Sequence, residues 1–291
     1  MDYAGLVSVY RELEETASNN EIVEILAAAL SDADEDHLPL LVTLLRGSPF
    51  PAWDSRELGV SSSLTKTAIS KATGIDEATI EDWWRETGDL GSAAAQAVES
   101  ERQQTLFSQS LTVERVQDTL EELAGYEGSG SQGRKIDAIA GLLSDADPEA
   151  AKYVVRTVLG HLRIGVGEGA IRDAIATAFL DGGEEAVAAV ERAYQVTTDY
   201  RVVAETARRE GVDGLEELDI ELGRPIQVML AEKAESIEAG LEDVAEDPAD
   251  VLAEYKYDGI RAQVHIDGEE VTVFTRRLED VTTQFPDVVE A

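Results

Sequence analysis

The sequence predicts two consecutive parts, an all-α domain followed by the beginning of an α+β domain. Apolar residues recur at helical spacing from the first residues to about Arg209, which places the helical domain at residues 1–210. Residues 211–225 are rich in acidic residues and predict a linker. Beyond residue 226 an alternation of period two, typical of strands, takes over, so the second domain is placed at residues 226–291.

The first half of the helical domain consists of apolar runs separated by breakers. The run Leu38–Leu45 predicts a helix that ends at Gly47-Ser48-Pro49. The runs Leu64–Ala72 and Glu77–Trp84 predict a helix pair joined by a tight turn. Because the second helix of this pair is acidic, an ordinary packed pair is favoured over a helix-turn-helix that reads the major groove. Residues 91–111 are small and polar and predict a connector.

The second half contains two glycine-rich loops. Residues 125–133 predict the first loop, and a helix begins near Arg134. Asp147-Pro148 predicts another helix start, and the helix that follows is expected to bury Tyr153, Val154, Val158 and Leu159. Residues 165–169 predict the second loop.

The second domain shows three strand patterns. Val251–Lys256, Arg261–Ile266 and Val271–Arg276 alternate, and Asp267-Gly268 predicts a hairpin between the last two. A helix is predicted over Glu232–Leu241. One strand and a hairpin cannot close a hydrophobic core, so we expect this domain to be incomplete.

Charge indicates the setting in which the protein works. The chain carries 60 acidic and 24 basic residues, a net charge of −36. The apolar periodicity argues against disorder, so the composition predicts a folded protein from a high-salt cytoplasm in which surface charges are screened. In that setting the net charge argues only weakly against a nucleic-acid partner, and local basic patches matter more.

Composition also excludes several classes of protein. The chain has no cysteine, which excludes disulfides and thiolate zinc sites and fits a reducing cytoplasm. No apolar run approaches the roughly 20 residues that span a bilayer, and the N-terminus lacks the pattern of a signal peptide. We expect a cytoplasmic monomer that has no membrane partner.

The sharpest motif is Lys256-Tyr257-Asp258-Gly259-Ile260-Arg261, between a predicted strand and the hairpin. A lysine is a nucleophile only as the free amine, and neighbouring cations or desolvation lower its ordinary pKa of about 10.4. Gly259 would let the backbone approach a ligand closely, and Arg261 offers a fork for phosphate oxygens. The alternative that the residues alone leave open is a turn with a solvated Lys–Asp pair.

Several segments resemble one family. Glu254–Gly259, followed by Thr275-Arg276-Arg277-Leu278-Glu279-Asp280-Val281-Thr282 and Gln284-Phe285-Pro286, resembles the adenylation (nucleotidyltransferase) domain of ATP-dependent DNA ligases, narrowly the archaeal replicative, haloarchaeal-like type. The resemblance extends through Pro225–Ala231 and into the helical part at Glu86–Gly91, Gly128–Lys135 and Leu162–Glu168. It covers most of the chain and implies the N-terminal part of such a ligase.

This resemblance implies a reaction. Lys256 would attack the α-phosphate of ATP, expel pyrophosphate and pass the bound AMP to the 5′-phosphate of a nick, in replication, repair and recombination. The family's nucleotide contacts map onto Glu254 on the adenine side, Arg261 and Arg276, with Mg²⁺ neutralising phosphate charge and its protein ligands unassigned. The family's later motifs and OB-fold are absent, so we expect these residues alone to bind DNA without completing ligation.

The resemblance also implies that the helical domain binds nicked duplex DNA. Residues Ser129, Gly130 and Ser131 would let the backbone approach phosphates, and Arg134 and Lys135 would add charge. Lys152, Arg156 and Arg163 have helix-compatible spacing, which predicts a basic stripe. The alternatives are a flexible hairpin and a solvated face.

A short segment resembles the sliding-clamp motif of archaeal replication proteins. In Gln103-Gln104-Thr105-Leu106-Phe107 the residues that would dock on a clamp are Gln103, Leu106 and Phe107. The alternative is a simple loop anchor.

Other functions share parts of this pattern. An RNA ligase or capping enzyme shares the lysine motif, but the long helical domain argues against it, and nothing resembles the domain that precedes adenylation in NAD-dependent ligases. A noncatalytic DNA-binding module is the alternative from a different class.

Salt should act on folding and on DNA binding in opposite directions. Raising KCl from 0.1 to 3 M should raise the melting temperature, because the Debye length falls to about 3 Å and carboxylate repulsion is screened. Affinity for nicked DNA should fall over the same titration, because counterion release contributes less. A melting temperature that is equal at both ends would show that the acidic surface is not a salt adaptation.

Overall fold

The chain folds into two compact units, Met1–Asp219 and Ile220–Ala291, in a computed structural model that describes residues 1–54, 56–102, 110–228, 233–245, 247–255 and 257–290. The division after Asp219 lies within the segment 211–225 in which the sequence predicts a linker; the predicted boundaries at residues 210 and 226 stay predictions. The fold class is the expected one, a helical unit followed by a smaller unit with a two-stranded sheet. Among the described residues, no helix is both long and apolar enough to cross a membrane.

The first unit is helical throughout its regular structure. Side chains of Ser18, Ser61 and Asp147 accept backbone N–H bonds at helix starts, and Gly47 and Gly74 end helices in the left-handed conformation. The helices are α1 (Tyr3–Glu15), α2 (Asn19–Asp32), α3 (Leu38–Arg46), α4 (Ser62–Thr73), α5 (Glu77–Thr87), α6 (Leu90–Arg102), α7 (Val113–Gly125), α8 (Ser131–Asp145), α9 (Pro148–Val158), α10 (Glu168–Phe179), α11 (Glu184–Thr197) and α12 (Tyr200–Glu217).

These helices form two groups around one continuous apolar core. Helix α10 packs on α2, while α12 packs on both α3 and α11. In the other group α4 packs on α8 and α6 packs on α9. Helix α1 touches α2 and α9, and α7 touches α3 and α8, so these two helices join the groups. The predicted pair around Thr73-Gly74 is confirmed as α4 and α5.

The prediction of a connector over residues 91–111 is wrong for its first part. Residues 90–102 form helix α6, which buries Ala93, Ala94, Ala97 and Val98 against its neighbours. Small side chains at helical spacing look weakly apolar in sequence, yet alanine is the best helix former and permits close helix packing. Residues 103–109 lie outside the described residues.

Two helix boundaries also differ from the sequence prediction. Helix α8 begins at Ser131, so the end of the predicted 125–133 loop is its first turn, after Gly130 with φ 80°. Helix α12 continues to Glu217 rather than ending near Arg209, across a kink at Gly211 with φ 68°. A glycine can take this conformation without a steric penalty and so lets the helical segment resume.

The second unit contains a hairpin and short helical segments. Strands β1 (Ala262–Asp267) and β2 (Glu270–Thr275) pair antiparallel, with Asp267 opposite Glu270 around a two-residue turn, which confirms the predicted hairpin. Helix α13 (Ile237–Val244) starts later than the predicted Glu232–Leu241, and α14 (Pro286–Val289) follows the hairpin. Short 3₁₀ turns cover Pro248–Asp250 and Thr282–Gln284.

The strand predicted over Val251–Lys256 is not formed in its described residues, 251–255. Leu252 and Tyr255 are 82% and 89% exposed. A strand needs a neighbour that supplies hydrogen bonds, and no strand among the described residues pairs with this segment.

The contact between α6 and α9 should be intolerant of a single added methyl group. A Cβ at Gly91 would lie 2.6 Å from the Lys152 carbonyl oxygen and 2.9 Å from Arg156 Cγ. We therefore expect Gly91→Ala to lower the free energy of unfolding by about 1–3 kcal/mol in urea titrations at high salt. Gly133→Ala in α8 is the matched control, because nothing lies within 4 Å of its Cβ position. A control that lost as much stability as Gly91→Ala would contradict the packing argument.

Candidate nucleic-acid interface and nucleotide site

A buried ion-pair network links α1, α6 and α9. Arg156 on α9 donates from Nε and Nη2 to Asp89 Oδ2 at 3.0 and 2.7 Å, and from Nη1 and Nη2 to Glu14 Oε1 at 3.1 Å. Lys152 Nζ and the Tyr153 hydroxyl donate to Glu14 Oε2 at 2.8 and 2.7 Å. Arg156 is 6% exposed. Asp89 is 7% exposed, so the Arg156–Asp89 pair is shielded from water, whereas Glu14 is exposed.

The basic stripe expected from Lys152, Arg156 and Arg163 does not form. Arg156 is buried and Lys152 is half-buried in the network, whereas Arg163 lies beyond the end of α9 and is exposed. Helical spacing places Lys152 and Arg156 on one face, but that face packs on α6 and α1 rather than facing solvent. The sequence could not distinguish these faces, because the carboxylates that pair with Lys152 and Arg156 come from distant segments.

The glycine-serine segment, residues 128–135, is only partly the exposed loop that the sequence predicts. Ser129, Gly130 and Arg134 are exposed, and Ser131 is half-buried in the first turn of α8. Arg134 Nη2 donates to the Glu127 carbonyl at 3.0 Å, and its guanidinium lies 5.3 Å from the centre of the Tyr126 ring.

Lys135 does not face solvent. It is 8% exposed, and its Nζ donates to the carbonyls of Leu58 and Gly59 at 2.7 and 3.3 Å. This corrects the expectation of an exposed cation at this position. The side chain ties α8 to the segment that precedes α4.

Arg163 lies in a loop that lines a surface cleft of about 430 Å³. The cleft is formed by residues 45–47 and 160–166 and includes Arg46, His161 and Arg163. Arg163 Nη1 donates to the Gly88 carbonyl at 3.3 Å, which joins the segment Glu86–Gly91 to the segment Leu162–Glu168. Two segments that carry the family resemblance thus meet here.

The cleft is free of acidic residues in a chain that has 60 of them. No Asp or Glu occurs over residues 37–53 or over residues 150–167, and these two stretches supply all residues of the cleft. Residues 128–136, which include the glycine-serine segment, also lack one. The absence of acidic residues is the signal in the sequence that points to Arg46 and His161, which the spacing of basic residues does not reveal.

The network shifts the pKa values of its members. Burial raises the pKa of the Asp89 carboxyl, but hydrogen bonds from Arg156 and Ser92 and the charge of Arg156 outweigh it and hold that pKa below its ordinary value. Burial likewise opposes ionisation of Glu14, and the bonds from Lys152 and Tyr153 lower its pKa overall. Both carboxylates are therefore ionised in the folded protein at neutral pH.

In the second unit the hairpin brings two predicted nucleotide contacts together. Ala262 pairs with Thr275, so Arg261 and Arg276 each lie next to the last paired residues at the same end of the hairpin, away from its turn. Both are exposed. Two arginine forks at one end of a hairpin can bind phosphate oxygens.

The residues after β2 fold back and define the position of Arg276. Thr275 N–H donates to the Glu279 carbonyl at 2.9 Å, and the Thr275 hydroxyl accepts from Arg277 N–H at 3.2 Å. Val281 N–H donates to the Val273 carbonyl at 2.9 Å. Leu278, with φ 66°, and Val281 are each 8% exposed, so the motif Arg276–Thr282 is a compact loop against β2.

Two side chains of β1 bind the segment before it. Gln263 pairs with both backbone groups of Ile226, as acceptor at 2.9 Å and donor at 2.7 Å. His265 Nδ1 accepts from Gly223 N–H at 3.0 Å. The start of the Pro225–Ala231 segment is thereby attached to the hairpin, whereas residues 229–231 lie outside the described residues.

Several predicted site residues have no described geometry. Lys256, Gln103, Leu106 and Phe107 lie outside the described residues. Glu254 is exposed two residues before Lys256. Among the described residues no three His, Cys, Asp or Glu side chains form a group that would hold a metal ion.

The lowered pKa of Asp89 predicts a stability difference that depends on pH. Asp89→Asn should lower the free energy of unfolding at pH 7 by about 2 kcal/mol, because Arg156 loses a charged hydrogen-bond partner. The folded carboxyl titrates below the ordinary value of about 3.9, so the difference between wild type and variant should be full above that value and shrink as pH falls below it.

Urea titrations from pH 7 to 3 at high salt would measure this difference. Asp118→Asn on the exposed side of α7 is the control and should leave stability nearly unchanged. A constant difference down to pH 3 would mean that the pKa of Asp89 is the same in the folded and the unfolded protein, and would contradict the lowered pKa.

Comparisons with known proteins agree with the resemblance in both units. Residues 2–176 match the family described as DNA ligase N terminus, and residues 228–291 match the family described as ATP dependent DNA ligase domain.

Full-length relatives extend the match over the whole chain. The chain is 44% identical over 291 residues to a DNA ligase of Thermococcus fumicolans, 45% over 288 residues to one of Methanothermobacter thermautotrophicus and 40% over 291 residues to one of Archaeoglobus fulgidus. These alignments cover 99–100% of this chain and 50–51% of the relatives, so the chain spans about half the length of the curated relatives it matches. The chain belongs to the family of ATP-dependent DNA ligases.

Proposed function

We propose that this protein acts as an ATP-dependent DNA ligase that seals nicks in duplex DNA through a lysyl-AMP intermediate at Lys256. The observation that carries the proposal is the Lys-x-Asp-Gly-x-Arg motif directly before a hairpin that places Arg261 and Arg276 at the same end. The names of the relatives, all DNA ligases, support the same reaction.

The first chemical step uses side chains of the second unit. The Lys256 amine, after losing its proton, would attack the α-phosphorus of ATP; a P–N bond forms and the P–O bond to pyrophosphate breaks. Arg261 and Arg276 would bind the phosphates, and Glu254 would contact the adenine side. Cations near an amine favour its neutral form, so the two arginines also suit Lys256 to the role of a nucleophile.

Mg²⁺ is compatible with a site that binds ATP in this way. The ion binds phosphate oxygens and water and needs only one or two protein carboxylates, so it does not require a protein cage. Its contribution would be to neutralise charge on the phosphates. Its ligands in this chain stay unassigned.

The helical unit would bind the nicked DNA. We assign the contacts to exposed or half-buried groups on acid-free segments, namely Ser129, Gly130, Ser131, Arg134 and Arg163, with Arg46 and His161 in the cleft beside Arg163. Lys135, Lys152 and Arg156 then act as supports of these segments. Concentrating contacts on acid-free segments would reconcile a net charge of −36 with a polyanionic substrate.

Further aspects of this function are proposals from the sequence. They are a role in replication, repair and recombination, a sliding clamp bound through Gln103, Leu106 and Phe107, and a monomeric state in a high-salt cytoplasm of haloarchaeal type. The match of residues 2–176 to DNA ligases favours this function over an RNA ligase or capping enzyme. A noncatalytic DNA-binding module is the second candidate, favoured by the size of the helical unit.

Adenylation assays on full-length protein test the proposal. Lys256→Ala should abolish labelling by α-labelled ATP while leaving affinity for nicked DNA within about twofold, because the nucleophile is lost and the DNA contacts lie elsewhere. Lys233→Ala, the other lysine of the second unit, is the control and should be labelled normally. Labelling of the Lys256 variant at another lysine would refute the assignment, and an unlabelled wild type would favour the noncatalytic module.

A further inference from the structure

Arg156 is a buried residue whose two ends reach two different segments. Its guanidinium donates twice to Asp89, at 3.0 and 2.7 Å. Its carbonyl accepts from His161 N–H at 2.8 Å, where α9 ends and the loop of the cleft begins. One residue thus contacts the entry to α6 through its side chain and the cleft loop through its backbone.

Asp89 also holds its neighbours along the chain in place through hydrogen bonds. Its carboxylate also accepts from the N–H groups of Gly91 and Ser92 at 3.1 and 3.2 Å and from the Ser92 hydroxyl at 2.8 Å. It directly follows Gly88, which ends α5 in the left-handed conformation. The position of the Gly88 carbonyl therefore depends on Asp89.

Arg163 depends on both segments. Its Nη1 donates to the Gly88 carbonyl at 3.3 Å, and its backbone has φ 58°. This left-handed conformation is unfavourable for a residue with a Cβ and persists only where the surroundings hold it. The exposed guanidinium of Arg163 is thus oriented by the Gly88 carbonyl on one side and by the loop after α9 on the other.

Stability alone does not account for a buried charge at residue 156. Removing a guanidinium and the Asp89 carboxylate from water is costly, and apolar side chains of similar volume would pack as well or better. The neighbours of Arg156 along α9, Val154, Val155 and Val158, are buried and apolar. The hydrogen bonds of the Arg156 guanidinium are directional and fix the orientation of the Asp89 carboxylate, which apolar packing would not do.

We propose that Arg156 is a positioning residue for DNA binding, which sets the place of Arg163 through Asp89 and Gly88 on one side and through His161 on the other. The inference rests on the proposed function, because Arg163 is a contact only if this surface binds DNA. It assigns to Arg156 an effect on affinity that is separate from its effect on stability.

A double-mutant cycle on the full chain tests the coupling. Affinity for a nicked duplex is measured for wild type, Arg156→Met, Arg163→Ala and the double variant, at a salt concentration where circular dichroism shows every variant folded. Arg163→Ala should weaken binding about tenfold, as expected for one lost charged hydrogen bond. Arg156→Met should weaken binding to a similar extent, and the double variant should be no weaker than either single variant.

The salt dependence of affinity gives a second readout. The slope of log affinity against log salt should fall by about 0.9 in each single variant and by the same amount, not twice it, in the double variant. Arg172→Met is the matched control: Arg172 pairs with Asp173 and Glu191 on the α10 side of the unit, so its loss should cost stability but leave affinity unchanged.

The outcomes separate this inference from the proposed function. Wild-type affinity for Arg163→Ala would overturn the DNA surface and this inference with it. Weakened binding by Arg163→Ala with wild-type affinity for Arg156→Met, or effects that multiply in the double variant, would overturn the inference alone. If Arg156→Met does not fold, Asp89→Asn replaces it in the cycle, because it keeps the shape of the side chain while weakening the same connection to Gly88, and the same non-additivity is required.

Discussion

The close approach of α6 and α9 is the constraint on which the helical unit depends. At Gly91 the two backbones come so near that a Cβ would lie 2.6 Å from the Lys152 carbonyl oxygen. The Asp89–Arg156 pair at the same place aligns the start of α6 with the end of α9. Because packed interiors have little spare volume, this contact fixes the relative position of α6 and α9. It thereby also fixes where the turn before α6 and the loop after α9 begin. The loop with Arg163 and the turn at Gly88 are joined for that reason.

The proposed DNA binding poses a second constraint, because it requires a strongly acidic protein to bind a polyanion. The cleft is distinguished by the absence of carboxylates more than by a high number of cations. Residues 37–53 and 150–167, which supply all residues of the cleft, contain no Asp or Glu. Several of the chain's cations are meanwhile engaged internally, as in the pairing of Lys152 with Glu14 and of Lys135 with two carbonyls. The electrostatic potential at the cleft therefore depends on where acidic residues are missing, and salt screens the carboxylates elsewhere on the surface.

In the second unit, few residues are enough to place the two arginines that we propose as phosphate contacts. The hairpin places Arg261 and Arg276 at the same end, and the Thr275 hydroxyl accepts a hydrogen bond from the loop that follows. Gln263 and His265 on β1 bind Ile226 and Gly223, so the segment leading into the domain is attached to the same hairpin. These local hydrogen bonds need no large core, which explains how the loop is defined while Tyr255, Tyr257 and Ile260 stay exposed.

Local patterns in the sequence were sufficient to predict the helices with strong apolar faces and the hairpin at Asp267-Gly268, because periodicity and turn residues each act over a few neighbours. The same rules failed for α6, where an alanine-rich stretch looks polar, and for residues 251–255, which have no partner strand in the described structure. They also could not separate Arg163, exposed, from Arg156 and Lys135, buried. Which cation meets solvent depends on carbonyls and carboxylates more than 60 residues away, at Asp89, Glu14 and Leu58, and those partners are brought near only by the packing of the helices.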